Sequence, residues 1–333
     1  MRDVLPTLER WVNDGRKVVV ATVVERQGSA PRDPGASMAL NDLGEVAGSV
    51  TGGCVEPAVI REAHAVLDGG PAKLVRYGIA DDEALDVGLA CGGTVAILVF
   101  ELDATLVPPI ADAVASDRPV ALLLGLGYRL GEQRLVDEHP LREVDDSAIV
   151  AGAEGETVFV ESFAPRPQMY VFGAIDHASS LASVGKFLGY RVTVCDARSL
   201  FVTDERFPDA DELVVDWPDR FLETAQVDAR TAICVLTHDT KFDVPALHAA
   251  LATNAGYIGA MGSKVTTEDR EERLRAEGVN DAGIGRIHAP IGLAIGARSP
   301  EEVAVTIAAQ LIESNVIARA KRVTSVAHAT VLS

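Results

Sequence analysis

The segment 168–196 reads QMYVFGAIDHASSLASVGKFLGYRVTVCD, and it predicts a strand, a helix and a second strand. Its two apolar runs, Gln168–Phe172 and Arg191–Cys195, have the length and the β-branched content of buried strands. Residues 179–188 lie between them and are predicted to form a helix. When a helix connects two consecutive strands of one sheet, the strands lie parallel and the connection is a right-handed crossover. The segment therefore predicts one unit of a parallel sheet.

The same alternation of strand and helix continues towards the C-terminus. The further predicted strands are residues 232–236 and 257–261, and the further predicted helices are residues 218–225, 244–252, 267–276 and 299–318. The last helix begins with a capping box, in which Ser299 is the cap and Glu302 stands three residues later. Repeated alternation of this kind predicts an α/β fold with a Rossmann-like, doubly wound parallel sheet.

The first half of the chain mixes short predicted strands with few helices. Its clearest helix runs from Cys54 to Gly69-Gly70, where the glycines end it. Residues 164–167 read APRP, and two prolines favour extended backbone over helix or sheet. We therefore expect an N-terminal mixed α/β domain at 1–163, a linker at 164–167, a Rossmann-like domain at 168–320 and a tail at 321–333.

Composition limits the classes of function. The chain has 333 residues, of which 48% are hydrophobic and 24% charged, as in a globular protein with an ample core. A formal net charge of −19 argues against nucleic acid or an anionic membrane as a partner. No apolar leader and no run long enough to cross a bilayer is present, and four dispersed cysteines suit a reducing compartment, so we expect a cytoplasmic protein. No cysteine or histidine spacing predicts a metal site.

The turn after the first strand of the second domain is altered from a dinucleotide-binding turn. Such a turn has glycine at its first, third and sixth positions, whereas residues 173–178 read GAIDHA. Gly173 is in place, but Ile175 would obstruct a phosphate and Asp176 has the wrong charge. Asp196 ends the second strand about twenty residues later, where a carboxylate binds ribose hydroxyls, although acidic strand ends also serve as caps. Gly173 and Asp196 are candidate nucleotide contacts, yet the turn predicts against ordinary NAD(P) binding.

Two cysteines lie in glycine-rich turns. Cys54 follows Gly52 and Gly53, and Cys91 precedes Gly92 and Gly93. Glycine lets the backbone approach a ligand closely, so a thiol in such a turn is accessible to a bulky partner. Cys54 also stands at the start of a predicted helix, where unpaired N–H groups favour an anion and lower the pKa of a thiol. The alternative is that these cysteines are ordinary core residues, as we expect for Cys195 and Cys234 in their apolar strands.

Two more glycine-rich segments, residues 257–264 and 286–296, follow predicted strands of the second domain. Ligands bind at the carboxyl ends of parallel strands, so Ser263, Lys264 and His288 are candidate anion or pterin contacts. For His288 the alternative is a histidine that only packs within a loop.

Taken in order, five motifs resemble the XdhC/CoxI family, the accessory proteins of xanthine dehydrogenase and related molybdenum hydroxylases. They are GSAPRDPGA (28–36), GSVTGGCVE (48–56), GLACGG (88–93), YIGAMGS (257–263) and HAPIGLAIGA (288–297). The resemblance covers nearly the whole chain. One departure is that the family usually has Gly-Ala-Gly-His after the first strand of the second domain, where this chain has Gly173-Ala174-Ile175-Asp176.

The resemblance implies a cytoplasmic homodimer that binds molybdenum cofactor (molybdopterin) and has no turnover chemistry of its own. It would hold the cofactor while a cysteine desulfurase installs a sulfur ligand, and then pass it to an apo molybdenum hydroxylase. The candidate cofactor-binding residues are Arg32, Gly52, Gly53, Cys54, Glu56, Cys91, Gly92, Gly93, Ser263 and His288. Arg32 and the helix after Cys54 would meet the phosphate, and a soft thiolate suits molybdenum or its sulfur ligand.

Two other functions stay open from the residues alone. One is an NAD(P)-dependent oxidoreductase built on the second domain, which Asp196 favours and Ile175 opposes. The other is a non-catalytic scaffold that docks a hydroxylase and a desulfurase without holding the cofactor.

Overall fold

The computed structural model describes residues 1–29, 32–78, 93–137, 147–151, 155–237 and 239–314. The chain divides into two compact units, Met1–Pro165 and Arg166–Ser333. None of the helices within the described ranges combines the length and the apolar character that a membrane span requires.

The first unit contains a five-stranded antiparallel sheet in the order β3-β2-β1-β5-β4. Its strands are β1 (Val18–Gln27), β2 (Ser37–Asn41), β3 (Val46–Gly48), β4 (Lys73–Tyr77) and β5 (Thr94–Glu101). Strands β1 and β5 are in the middle, and both are almost wholly buried because helices or a second sheet cover both faces.

Helix α2 (Glu56–Leu67) covers one face of this sheet. Pro57 fits its first turn, where a missing N–H costs nothing, and Val59, Ala63 and Val66 form its buried stripe. Gly69, at φ +94°, follows its C-terminal end. Helix α2 begins at Glu56 with Val55 as its N-cap, so Cys54 lies at the N-terminal end of the helix, two residues before its first residue.

The opposite face is covered by α1 (Leu5–Asn13), α3 (Val107–Ala115) and a second antiparallel sheet in the order β7-β6-β9-β8. The strands of that sheet are β6 (Val120–Gly125), β7 (Gln133–Val136), β8 (Ala148–Ala151) and β9 (Thr157–Phe163). Phe159 and Phe163 of β9 join Phe100 of β5 in one core cluster. Leu5, Leu8 and Trp11 recur every three residues and form the buried face of α1, which makes this helix amphipathic. No helix was predicted here from the sequence.

The second unit is a parallel sheet in the order β12-β11-β10-β13-β14-β15. Its strands are β10 (Gln168–Phe172), β11 (Arg191–Cys195), β12 (Glu212–Val214), β13 (Ala232–Val235), β14 (Tyr257–Ala260) and β15 (Ile287–His288). Counted from β10, this order is 3-2-1-4-5-6, the order of dinucleotide-binding sheets. The predicted Rossmann-like fold is confirmed.

Six helices accompany this sheet in the described ranges. They are α4 (Asp176–Phe187), α5 (Pro218–Thr224), α6 (Thr240–Leu251), α7 (Lys264–Ala276), α8 (Asp281–Ile284) and α9 (residues 300–314). The capping box of α9 is confirmed, since the Glu302 N–H donates to Ser299 Oγ at 3.2 Å and the Glu302 carboxylate accepts from the Ser299 N–H at 3.2 Å. Cys195 and Cys234 are fully buried in their strands, as predicted, and burial raises the pKa of each thiol to about 12.

Candidate functional site

The cysteine motifs of the first unit belong to connections at one end of its five-stranded sheet. Gln27, the last residue of β1, pairs with Thr94, the first of β5. Tyr77, which ends β4, pairs with Val95, and Gly48, which ends β3, pairs with Met38 near the start of β2. The connections that carry Arg32, Cys54 and Cys91 therefore all leave the sheet at this end.

The loop of residues 49–55, which carries Cys54, is folded around the carboxylate of Glu56. Oε1 of Glu56 accepts hydrogen bonds from the N–H groups of Thr51 and Gly52, both at 2.9 Å. Oε2 accepts from the N–H groups of Gly53 at 2.9 Å and Val55 at 3.2 Å. The hydroxyls of Ser49 and Thr51 donate to the same carboxylate at 2.6 and 2.8 Å. One side chain thus holds most of the polar groups of this loop.

These contacts set the charge of Glu56. Burial acts to raise the pKa of the carboxyl, but the hydrogen bonds from Ser49 and Thr51 outweigh it and lower the pKa to about 2. Glu56 is therefore an anion at neutral pH, and it occupies loop N–H groups that lie directly before the helix expected to meet a phosphate. An external phosphate would reach those amides only by displacing Glu56.

Cys54 itself is exposed and immediately precedes Val55, the N-cap of α2. Gly52 and Gly53 have φ +87° and +123°, which favour glycine, and a Cβ on either would meet no atom within 4 Å. The glycines are thus required by the backbone conformation, and space remains open around them. A thiol in this position is reachable by a large ligand.

Of the second cysteine turn, Cys91-Gly92-Gly93, only Gly93 lies within the described residues. Cys91 and Gly92 lie outside the described residues, and Gly93 is buried immediately before β5. That Cys91 contacts a ligand together with Cys54 stays a prediction.

Arg32 belongs to a polar cavity of about 380 Å³ in the first unit. It is half-buried, and its guanidinium donates to Asp3 at 2.9 Å. Glu161 also lines this cavity; it is buried, and burial raises the pKa of its carboxyl. Sequence reasoning missed Glu161, because an acidic residue in strand β9 gives no signal that its side chain faces inward.

The altered turn of the second unit packs closely on its neighbour. Gly173 has φ +112°, and a Cβ there would lie 2.9 Å from Cγ2 of Thr237, the second residue after β13. Ile175 is the N-cap of α4 and offers no side-chain hydrogen bond to the helix. Glycine is therefore needed at 173 for the contact between two loops of the protein itself.

Asp196, the predicted ribose ligand, is already engaged. Its carboxylate accepts from the Ala174 N–H at 2.8 Å and from Nε and Nη2 of Arg198 at 2.9 and 2.7 Å. Burial acts to raise the pKa of Asp196, but the hydrogen bonds from Arg198 and Ala174 lower it overall. The Asp196 carboxylate links the turn after β10 to the end of β11. These bonds leave the carboxylate poorly placed to receive ribose hydroxyls.

Ser263 and His288 both have structural partners. The Ser263 hydroxyl caps α7 by accepting from the Thr266 N–H at 3.2 Å. The His288 ring stacks on Tyr257 with centroids 4.7 Å apart, and burial lowers its pKa. These contacts do not test a ligand role, which stays a prediction for both residues.

A buried polar network at the ends of β13 and β14 was not identified from the sequence. Thr237 donates to Asp243, and Asp243 accepts from Arg270 at 2.6 Å. The signal was present in α7, where Thr267, Arg270 and Leu274 recur at helical spacing and share the buried face. Within the described parts of the chain, no cluster of His, Cys, Asp or Glu is arranged to hold a metal ion.

Two family models match the chain, one for each unit. Residues 11–78 match the model of the XdhC and CoxI family, and residues 169–311 match that of the XdhC Rossmann domain. Among curated proteins, one of Bacillus subtilis, named as a probable xanthine dehydrogenase subunit, is 27% identical over 92% of this chain and 96% of its own length. The molybdenum cofactor insertion chaperone PaoD of Escherichia coli is 28% identical over 89% of this chain and 83% of its own length.

A solved structure agrees with these matches. The crystal structure described as a xanthine dehydrogenase from Bacillus halodurans superposes with a TM-score of 0.72 at 26% identity, covering 93% of this chain and 95% of that one. The similarity therefore extends over both units and is not confined to the parallel sheet.

Proposed function

The chain belongs to the XdhC and CoxI family, and from this premise we propose that it is an accessory protein that carries molybdenum cofactor to a molybdenum hydroxylase. The observation that carries the proposal is similarity along nearly the full length to a protein named as a molybdenum cofactor insertion chaperone. The exposed thiol of Cys54 supports it, since sulfur ligands suit a soft metal centre.

The cofactor is the cargo of this protein, and the residues present fit part of it. Cys54 stands in open space on a loop whose backbone Glu56 holds, so its thiol can reach the metal or its sulfur ligand. Arg32 is paired with Asp3 at the surface, and such pairs contribute only about 0–1 kcal/mol, so its guanidinium can exchange to a phosphate. The amides of the loop do not fit a phosphate while Glu56 occupies them.

We further propose that the cofactor acquires its sulfur ligand while it is bound here. A cysteine desulfurase would be the sulfur donor, an apo molybdenum hydroxylase the recipient, and the carrier a homodimer without turnover chemistry of its own. Cys54 would contact the cofactor during this stage, and Cys91 is proposed as a second contact.

Titration of the purified full chain with molybdopterin under anaerobic conditions tests the binding step. We expect saturable binding in the wild type and at least tenfold weaker binding in Cys54→Ser, measured by fluorescence of the oxidised pterin. Cys234→Ala is the matched control, because it removes a thiol that is fully buried in β13 and should leave binding unchanged. Absence of saturable binding by the wild type would overturn the carrier function.

Equal binding by the wild type and by Cys54→Ser would remove this cysteine from the proposal while leaving the carrier function standing. A pull-down with an apo hydroxylase then separates the carrier from a scaffold. A carrier should restore hydroxylase activity only when loaded with cofactor, whereas a scaffold should bind the hydroxylase equally well in both states.

An NAD(P)-dependent oxidoreductase is the second candidate, and the 3-2-1-4-5-6 strand order favours it. The bonds of Asp196 to Arg198 and Ala174 oppose it, because they occupy the carboxylate that would bind ribose. The carrier function therefore ranks first.

A further inference from the structure

Arg270 is one of the most deeply buried charged side chains among the described residues. It lies in α7, its side chain is 2% exposed, and its partner Asp243 in α6 is 1% exposed. Nη2 of Arg270 donates to Asp243 Oδ2 at 2.6 Å and to the carbonyl of Met261 at 2.9 Å. These two bonds fix one edge of the guanidinium.

The rest of the guanidinium meets no acceptor among the residues that the structure describes. Nε and Nη1 are buried, and neither finds a hydrogen-bond partner within the described ranges. A guanidinium has five N–H donors, and buried donors without partners are rare because each costs about 1–3 kcal/mol. Three N–H groups left unbonded on one side chain call for an acceptor from outside the described chain.

The location of these donors fits a ligand. Met261 and Gly262 directly follow β14, and Thr237 follows the adjacent strand β13, so the network lies at the carboxyl ends of parallel strands. Ligands of doubly wound sheets bind in the crevice outside these ends. A Cβ at Gly262 would lie 3.2 Å from Cβ of Thr266 and 3.6 Å from Nη1 of Arg270, so glycine keeps a side chain out of the narrow space next to this donor.

The electrical environment favours an anion. Asp243 balances the charge of Arg270, and α7 begins two residues after Gly262, with Lys264 as its first residue. A helix of 13 residues carries a partial positive charge at its N-terminus, which lies on the same side as Gly262. The pair is therefore neutral and the helix end adds positive potential, so an oxyanion gains more here than a neutral acceptor.

We propose that Arg270 is the buried anchor of a phosphate-binding site at the carboxyl ends of β13 and β14. Nε and Nη1 are covered by Gly262 and the first turn of α7, so a phosphate displaces this cover in order to accept hydrogen bonds from them. The ligand is a phosphate group, either free or carried by a larger molecule. This site goes beyond the proposed carrier function and does not depend on the ligand being molybdenum cofactor.

The test uses the full chain and titrates inorganic phosphate, pyrophosphate and ADP at constant ionic strength, with chloride as the reference anion. Isothermal titration calorimetry gives the dissociation constant of each. We expect saturable binding of at least one phosphate compound to the wild type. Tighter binding of ADP than of pyrophosphate would identify a phosphate ester as the source, and the reverse order would identify the free anion.

Arg270→Lys is the informative variant. Lysine keeps a positive charge on the side chain that faces Asp243, but it removes the donors of Nε and Nη1. We expect binding to weaken at least tenfold while circular dichroism stays that of a folded protein. Arg273→Gln is the matched control, because Arg273 lies on the same helix, is 54% exposed and pairs only with Asp269 at the surface in the described contacts.

Arg273→Gln should bind like the wild type. If the wild type shows no saturable binding of any of the three compounds, or if Arg270→Lys binds them as tightly as the wild type, the phosphate site is wrong. If Arg270→Lys is not folded, Gly262→Ala gives a second measurement, since its methyl group would lie 3.2 Å from Cβ of Thr266 and 3.6 Å from Nη1, and by filling the space beside the guanidinium it should weaken binding. Failure here leaves the molybdopterin titration to be judged on its own result, because that titration is compared between the wild type and Cys54→Ser in the first unit.

Discussion

The carboxylate of Glu56 accepts a hydrogen bond from the backbone N–H of Gly53 at 2.9 Å, and this contact bends the loop back towards the helix that follows it. Cys54 comes next in the chain and is exposed. The side chain that fixes the position of the Cys54 thiol therefore belongs to Glu56, two positions later in the same motif. Its role as a positioning residue is directly testable.

Replacing Glu56 with glutamine should loosen the loop. Glutamine has one acceptor oxygen where the carboxylate has two, so several of the backbone N–H groups between Thr51 and Val55 lose their partner. We expect a loss of about 1–3 kcal/mol in the free energy of unfolding and a change in the rate at which Cys54 reacts with a disulfide reagent. Urea denaturation and thiol kinetics measure the two effects.

Glu62→Gln is the control for this change. Glu62 lies on the same helix, and its carboxylate pairs with Lys73 at 2.5 Å at a partly exposed position. It should cost less than about 1 kcal/mol and leave the thiol rate unchanged. A Glu56→Gln protein with wild-type stability and wild-type thiol kinetics would refute the positioning role.

The contribution of Glu56 should depend on pH in a defined direction. Its pKa falls from an ordinary value of 4.5 to about 2 on folding, so the folded state prefers the ionised carboxylate. The stabilisation is fully present above the ordinary pKa and is lost as the pH falls towards about 2. The difference in urea midpoint between the wild type and Glu56→Gln should therefore be constant from pH 7 to about 5 and shrink below that range. A difference that grows on acidification would contradict this assignment.

Gly173→Ala should destabilise the second unit through a clash as well as through backbone strain. The new methyl group would lie 2.9 Å from Cγ2 of Thr237, at a φ of +112°. Gly189→Ala has the strain alone, because φ is +84° and no atom lies within 4 Å. We expect about 1–2 kcal/mol for Gly189→Ala and about 1–3 kcal/mol more for Gly173→Ala in urea denaturation. Equal losses would mean that the two loops are not in contact.

Asp196 should not serve nucleotide binding in the wild type. Its carboxylate is bonded to Arg198 and to the Ala174 N–H, so NADH and NADPH should show no saturable binding at micromolar concentration by calorimetry. Arg198→Ala removes the competing guanidinium, and any gain of NADH affinity should appear in this variant and not in Arg273→Ala. Micromolar binding of NADH to the wild type would instead favour the oxidoreductase.

The second unit was the more predictable part of the fold. Gln168–Phe172 and Arg191–Cys195 have the bounds that the sequence indicated, because buried parallel strands read as short apolar runs between clear breaks. Helix α6 begins at Thr240, four residues earlier than predicted, because Asp239 caps it by accepting from the Lys241 N–H. Pro245 lies inside this helix, where it has no N–H to donate to the preceding turn.

The exposure of Cys54 was predictable from the sequence, whereas the contacts around it were less so. Glycine and cysteine together marked the loop of residues 49–55, and Cys54 is exposed there. That Glu56 would turn back and take up the loop amides depends on a side-chain conformation, which spacing does not specify. Asp243 and Arg270 were missed for a related reason, since they are 27 residues apart and their pairing depends on how α6 and α7 pack.

The three connections that carry Arg32, Cys54 and Cys91 emerge at one rim of a sheet whose strands are already paired and whose two faces are already covered. Substitutions at exposed positions of these connections, such as Cys54, should leave strand register and interior packing unchanged, whereas Val50 and Val55 belong to the core. Side chains exposed at this rim can therefore change without altering the fold of the sheet that carries them.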